Sequence, residues 1–404
     1  MNYEDSPENA DFRREVRDWL QQHAPRFNRS AAVSQAEEIA AARAWQSCKA
    51  EGGYAALTWP KSLGGRGASS YEQLIFVEEE SRFPLPFDLA HGGVDVVIPA
   101  LLKFAAARQY QALLNPTRSG MVIWSILLSE PSAGSDLSSV RLKATRTGDQ
   151  WVLNGQKTWC SWARASDWAL TLARTDPKAA RHKGLSCFIV DMRSAGLTVR
   201  PIRFFQGDTH GFDDVFFSDV AVPEGQLIGR EGEGLKILLS MLAVDRFAVS
   251  AQRELLGANV DTMFDLARQI QGAQGSRIQD ADVRDRLADY YVDVLGVQNL
   301  RARHLTQLSH GSEPGPETAV GKVILANRLQ EMAAFAMDLL GPAGVVKNAA
   351  FQPQLALMHS GLFMGAGLRI GAGTDEIIRN TIAERLLELP PDIRPDKDVP
   401  FDQS

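Results

Sequence analysis

Apolar residues near the start of the chain recur every three or four positions: Phe12, Val16, Trp19 and Leu20 fall on one helical face. That rhythm predicts helices over roughly residues 1–120, with a loop where Pro60, Gly64, Gly65 and Gly67 interrupt it. From about residue 121 the period shortens to two. Val140, Leu142 and Ala144 alternate with Arg141, Lys143 and Thr145, a turn follows at Thr147, Gly148 and Asp149, and Trp151, Val152 and Leu153 lead to an Asn154-Gly155 hairpin signal. LSCFIVDM, LTVRPIRFF and FDDVFFSDVAVP read as further strands, so a compact β region closes near Pro223. Helical patterning then returns over roughly 233–270, 281–310 and 317–340, and a final helix is expected from Asp375 to Leu389. The segment 390–404 is rich in proline and charge, which predicts an extended, exposed tail. No internal repeat stands out.

The resulting expectation is α+β: a helical domain at 1–120, a β domain at 121–228, a helical bundle domain at 229–391 and a tail at 392–404. A chain of 404 residues has room for roughly two or three packed units. Its net charge of -6 argues against nucleic acid or an anionic membrane as partner, because both need a dense positive surface. The first residues lack the basic-then-apolar order of a secretion signal, and no apolar stretch reaches membrane-span length. Cys48, Cys160 and Cys187 are odd in number and have no CxxC spacing, which fits a reducing cytoplasm without a disulfide framework. The histidines are scattered and show no HExxH, so no metal site is expected.

Three stretches carry candidate chemistry: SEPSAGSDL at Ser129–Leu137, GQKTWCSWA at Gly155–Ala163 and GAGTDEIIRN at Gly371–Asn380. Together they resemble the acyl-CoA dehydrogenase family, and the resemblance runs from TWPKSLGGRG near Trp59 to IAERLLELP ending at Pro390. It implies an N-terminal helical domain, a central β domain and a C-terminal four-helix bundle that mediates oligomerisation. It also implies FAD as cofactor, an acyl-CoA substrate and an electron-transfer flavoprotein as electron acceptor. A flavin ring needs donors aimed at N5 and its carbonyl oxygens, plus an aromatic wall; Ser129, Ser135, Trp159 and Ser161 are residues of that kind. By the resemblance, the Leu128 backbone and the Ser129 hydroxyl face the flavin pyrimidine. Ser135 lies near the pantetheine or ribityl chain, Trp159 flanks the ring, and Ser161 bonds near N5.

The glycines Gly365, Gly367 and Gly371 form a GxGxxxG run that invites a dinucleotide reading, but a Rossmann fingerprint closes a strand and opens a helix. Here the run follows a helical region. The local reading is that Thr374 caps the final helix, with Asp375 and Glu376 in its first turn. The resemblance places Thr374 and Glu376 at the FAD diphosphate and ribose.

Removal of an α-proton from an acyl thioester needs a carboxylate on the face opposite the flavin. Many members of the family carry a glutamate where this chain has Ala372, which holds no proton acceptor. Other branches place the base in a Leu-x-x-Glu-Arg context on a helix of the C-terminal part. The matching segment is LAVDRFAVSA, with Asp245 at the glutamate position and Arg246 at an arginine near the acyl-CoA site. Asp245 and Arg246 are also the only charged side chains from Ile237 to Ala251, so they are either paired or functionally perturbed. An Arg-x-x-Phe-Gly run, whose arginine reaches a neighbouring subunit's flavin, is missing; Arg268 and Arg277 are the available substitutes. Relatives with such losses include subunits of two-gene heterotetramers in bacterial steroid side-chain degradation. Three functions stay open: an acyl-CoA dehydrogenase with Asp245 as base, in a homo- or hetero-oligomer; a half-site or non-catalytic partner subunit; and a flavin monooxygenase on the same fold.

Overall fold

A computed structural model describes residues 5–28, 34–205, 211–241, 260–272, 275–309, 315–346, 352–393 and 398–403. The chain divides into two compact units, one of Asp11–Asp245 with Asp392–Ser404, the other of Met1–Ala10 with Arg246–Pro391.

The first unit takes in α1 (Pro7–His23) from Asp11 onward, then α2 (Gln35–Glu51) and α3 (Ser70–Glu80). Phe12, Val16 and Leu20 meet Trp45, Tyr54, Ile75 and Phe76 in one core, as the helical spacing predicts. Ser34 and Ser69 start α2 and α3 as capping boxes with Glu37 and Glu72, each satisfying backbone N–H groups that the first turn leaves open. A π-helical turn, Gly92–Val97, leads into α4 (Ile98–Phe104), and α5 (Ala107–Arg118) follows.

The β region holds β1 (Trp124–Leu127), β2 (Lys143–Thr147), β3 (Gln150–Ser161), β4 (Trp168–Arg174), β5 (Leu185–Asp191), β6 (Leu197–Pro201), β7 (Phe212–Pro223) and β8 (Leu227–Ile228). They form one eight-stranded sheet in the order β6-β7-β3-β2-β4-β5-β8, with β1 parallel to β4. Strands β4 and β5 are buried along nearly their whole length because both faces are covered. Ala169, Phe188 and Val190 pack with β3 and β7, while Leu170, Leu172, Cys187 and Ile189 pack under the helices.

The Asn154-Gly155 pair does not turn a hairpin. Both residues lie inside β3, opposite a bulge in β7, where the register slips between Leu153↔Val220 and Gly155↔Phe217. The Asn154 side chain donates to the Asp219 carboxylate at 2.9 Å and accepts from the Asp219 N–H at 2.9 Å, holding Asp219 at φ +53°. Gly155, at φ +143°, leaves room for Leu142, whose Cδ1 would lie 3.0 Å from an added Cβ.

The second unit contains α6 (Val260–Gln269), α7 (Ala281–Ser309), α8 (Thr318–Leu340), α9 (Gln352–Ile370) and α10 (Asp375–Thr381). Met263, Leu266, Leu287, Phe335, Leu339, Leu355 and Met358 form its core. The sequence rhythm does not resolve α9, because its apolar residues surround the helix instead of forming a stripe. The last helix is also shorter than predicted: α10 passes into a π-helical turn, Ile382–Leu386, closed by the Leu387 N–H on the Ile382 carbonyl at 2.9 Å. Among the described residues no single helix is long and apolar enough to cross a membrane.

The end of the chain departs from the extended, exposed tail. Residues 391–393 are exposed, but Phe401–Gln403 form a 3₁₀ turn in the first unit. The Phe401 N–H donates to the Ala179 carbonyl at 3.1 Å and the Asp402 N–H to that of Pro177 at 3.0 Å. Phe401 is the reason: its ring lies on Arg174, 3.9 Å from Cζ to ring centroid, where composition alone reads only proline and charge.

Candidate active site

The Ser- and Gly-rich stretches that follow β1 and end β3 meet as one wall. The Thr158 N–H donates to the Ser129 carbonyl at 2.9 Å, and the Ser125 hydroxyl donates to the Ser161 carbonyl at 2.9 Å. The loop after β1 is tight because Glu130 and Ala133 exchange both backbone hydrogen bonds, at 2.9 and 3.1 Å. Ser135 follows on the same loop and is exposed, next to Asp136, whose carboxylate accepts the Ser138 N–H at 3.0 Å.

Trp159 is set by a second irregularity in the sheet. Between Lys157↔Val215 and Cys160↔Asp213, β3 carries one residue more than β7, so β3 bulges there. The bulge holds Trp159 at φ +57°, a left-handed conformation that is rare for a large side chain. The indole stays 52% exposed and meets the Phe212 ring edge-on at 6.0 Å. Ser161 lies exposed two residues on and Ser129 is half-buried, while Cys160, between Trp159 and Ser161, is buried in the core. Burial pushes the Cys160 thiol well above its usual range, so it acts as an apolar side chain.

The brace behind this wall is a buried ion pair that the sequence reading missed. Lys157 is fully buried, and its ammonium donates to the Leu128 carbonyl at 2.7 Å and to the Glu130 carboxylate at 2.9 Å. Glu130 also accepts the Arg141 and Leu142 N–H groups, each at 2.7 Å. Burial lowers the Lys157 pKa, and the neighbouring Glu130 carboxylate acts against that shift. The available signal was a lone lysine beside Trp159 and Cys160 in a strand of otherwise regular alternation. Leu128, Ser129, Trp159 and Ser161 thus come together, with Ser135 on the adjoining loop.

Thr374 and Glu376 lie in the second unit. Thr374 caps α10, its hydroxyl accepting the Ile377 N–H at 3.2 Å, and Glu376 is exposed in the first turn. Gly365 and Gly367 sit within α9, so the glycine run leaves a helix instead of a strand. The turn between α9 and α10 places Ala372 at φ +52°, and Lys322 fixes it by donating to the Gly373 carbonyl at 2.6 Å. Asp375 is buried beneath the cap. Burial opposes its charge, but Arg369 Nε at 2.8 Å and Asn327 Nδ2 at 3.0 Å hold its carboxyl below the usual range. Arg268 and Arg277 are engaged by Asp265 at 2.8 Å and Asp280 at 3.0 Å. Asp245 and Arg246 lie outside the described residues.

The chain matches the N-terminal domain of acyl-CoA dehydrogenases over residues 6–121, their middle domain over 125–220 and their C-terminal domain over 232–387. With helices, an eight-stranded sheet and helices in that order, it belongs to the acyl-CoA dehydrogenase family of flavoprotein oxidoreductases. Acyl-CoA dehydrogenase IpdE1 of Mycobacterium tuberculosis is 33% identical over 388 residues, covering 94% of this chain and 97% of the relative. The human mitochondrial short-chain specific acyl-CoA dehydrogenase is 30% identical over 350 residues, covering 83% and 80%. Among solved structures, the ChsE4-ChsE5 complex from Mycobacterium tuberculosis aligns with a TM-score of 0.77 at 26% identity, covering 97% of this chain and all of that one.

Proposed function

We propose that this chain is an FAD-dependent dehydrogenase of the cytoplasm that desaturates the α,β bond of an acyl-CoA thioester and passes the electrons to an electron-transfer flavoprotein. The observation that carries this reading is Trp159, kept half open by left-handed backbone on the wall that also carries Ser129 and Ser161. An indole face with hydroxyl and backbone donors on one wall is the donor set an isoalloxazine ring requires. Leu128, Ser129, Trp159 and Ser161 would hold the ring and Ser135 the pantetheine or ribityl chain; the roles of Thr374 and Glu376 at the diphosphate and ribose rest on the family resemblance alone. When bound, FAD supplies the acceptor for the hydride that leaves the β-carbon. Asp245 takes the α-proton as general base, and Arg246 helps bind the thioester; this assignment rests on the sequence, since Ala372 offers no carboxylate.

Saturated acyl-CoA added anaerobically to the flavin-loaded protein is expected to bleach the flavin band. Failure to bleach with acyl groups of every chain class would overturn the reading. Asp245→Asn should retain FAD while losing at least ~100-fold in turnover, the usual contribution of a general base. Near-normal rates would move the base elsewhere.

A specific observation favours a heteromeric form of the same enzyme. The Arg-x-x-Phe-Gly run whose arginine reaches a neighbouring flavin is missing from the sequence, and its nearest substitutes, Arg268 and Arg277, sit in local ion pairs with Asp265 and Asp280. A related solved structure is a complex of two named partners, ChsE4 and ChsE5. In this form the chain supplies half a flavin site and is colourless when expressed alone, turning yellow only with its partner co-expressed. A yellow protein from single expression would exclude it.

A further inference from the structure

Arg174, at the end of β4, is a buried cation without a carboxylate at ion-pair distance among the described residues. It is 3% exposed, and its guanidinium donates to the carbonyls of Ser138 at 2.6 Å, Arg181 at 2.6 Å and Val140 at 3.1 Å. The face of Phe401 covers it. Carbonyl dipoles and a ring face stabilise a positive charge but do not neutralise it. Of the acids near enough to act on it, Glu130 pairs with Lys157 and Asp136 with Arg181, and Asp176 stands beyond ion-pair distance. Burial is accordingly the main cause that brings the Arg174 pKa down to about 10.

Two further cations stand beside it. Arg141 and Lys143 alternate outward on the approach to β2 and at its first residue, both exposed, and Lys143 is the ladder partner of Arg174. The Arg141 guanidinium lies 5.8 Å from the Phe401 centroid. Neither Arg141 nor Lys143 has an ion-pair partner among the described residues. With Arg146, which pairs with Glu224, they line a cavity of about 590 Å³ whose one acidic lining residue among the described residues is Glu231. Thr145 and Thr175 add hydroxyls, and Phe401 supplies an aromatic wall. The cavity is of small-ligand size, and it gathers positive charge in a chain that is negative overall. A bare phosphate would leave most of it empty.

We propose that this cavity binds a phosphate-bearing nucleotide, with Arg141 and Lys143 on the phosphates and the C-terminal Phe401 as the wall beside the base. The shared chemistry is that of adenosine diphosphate, and it has two sources: the nucleotide end of a CoA thioester, or a free nucleotide acting as effector. The first source rests on the acyl-CoA reading given above; the site itself does not.

Calorimetry on the full-length protein saturated with FAD, so that the flavin site cannot take up ADP, with ADP, inorganic phosphate and CoA as probes, tests the proposal without any readout of activity. ADP is expected to bind more tightly than inorganic phosphate and to weaken as salt screens the cations. The double variant Arg141→Ala, Lys143→Ala should weaken ADP about tenfold or more, the effect of losing charge-assisted contacts. Both side chains are exposed, so its thermal midpoint should stay near that of the unaltered protein. Phe401→Ala should weaken ADP more than phosphate. A parallel weakening of CoA and ADP in the double variant identifies the substrate's own nucleotide; CoA affinity that is unchanged while ADP weakens identifies a separate effector. Absence of binding by every probe, or unchanged ADP affinity in the double variant, overturns the proposal.

Discussion

Lys157 and Glu130 form an ion pair at 2.9 Å with 0% and 4% of their side chains exposed, directly behind the backbone that presents Leu128 and Ser129. One end of the pair holds the Leu128 carbonyl, and the other holds the Arg141 and Leu142 N–H groups. The wall therefore depends on a charge pair that never reaches solvent.

Breaking one partner of such a pair leaves the other buried and uncompensated. Lys157→Met is expected to cost about 3–5 kcal/mol, measured as a fall in the urea midpoint with unchanged slope. A loss below about 1 kcal/mol would mean that Glu130 finds another partner or water, contrary to the bracing role.

Trp159→Gly should separate stability from cofactor retention. Glycine adopts the left-handed backbone without strain, and the indole it replaces is half exposed, so the flavin-free protein is expected to gain up to ~1 kcal/mol. The same change removes the aromatic wall, and flavin affinity should fall about tenfold or more. Apo melting and flavin titration on one variant read the two effects. A parallel change in both, in the same direction, would make Trp159 merely structural.

Gly155→Ala is expected to destabilise the sheet by about 1–3 kcal/mol, through φ +143° and a Cβ lying 3.0–3.2 Å from Leu142. Denaturation of the variant against the unaltered chain gives the value directly. A neutral substitution would show that Leu142 yields.

Acid sensitivity should centre on Glu79, which is 1% exposed and contacted by Arg17 at 2.9 Å, Arg13 at 3.2 Å and Arg82 at 3.3 Å. Burial alone would raise its pKa, but Arg17 and Arg13 outweigh it and hold the carboxyl below its ordinary 4.5. Because the folded value lies below the unfolded one, the contribution is complete above pH ~5 and is lost as pH falls through the folded value. Glu79→Gln should flatten the decline of stability below that pH in denaturant titrations. An unchanged slope would assign it to other carboxylates.

Much of the architecture was legible along the chain. Periodicity near 3.6 marks α1 through Phe12, Val16 and Leu20, all of which are buried, and period-two alternation marks the approach to β2 through Val140, Leu142 and Ala144. The Thr374 cap was equally readable, because an N-cap hydroxyl serves an N–H three residues away. Local signals failed where the deciding contact is remote. Asn154-Gly155 carries the residues of a turn, yet Asp219 and Leu142 recruit them into the middle of a strand. The segment 390–404 carries the composition of a free tail, yet one aromatic ring finds Arg174 more than two hundred residues away.

By itself, then, the sequence determined the order of helical and β regions, the helix caps and which short motifs carry hydroxyls and aromatic groups, since each depends on residues within a few positions of one another. Tertiary structure alone decided that Lys157 braces the wall through Glu130, that a bulge against β7 turns Trp159 outward, and that Phe401 roofs the Arg174 cation. Those outcomes depend on strand register and on which charges share a buried volume, and neither quantity is expressed by any window of neighbouring residues.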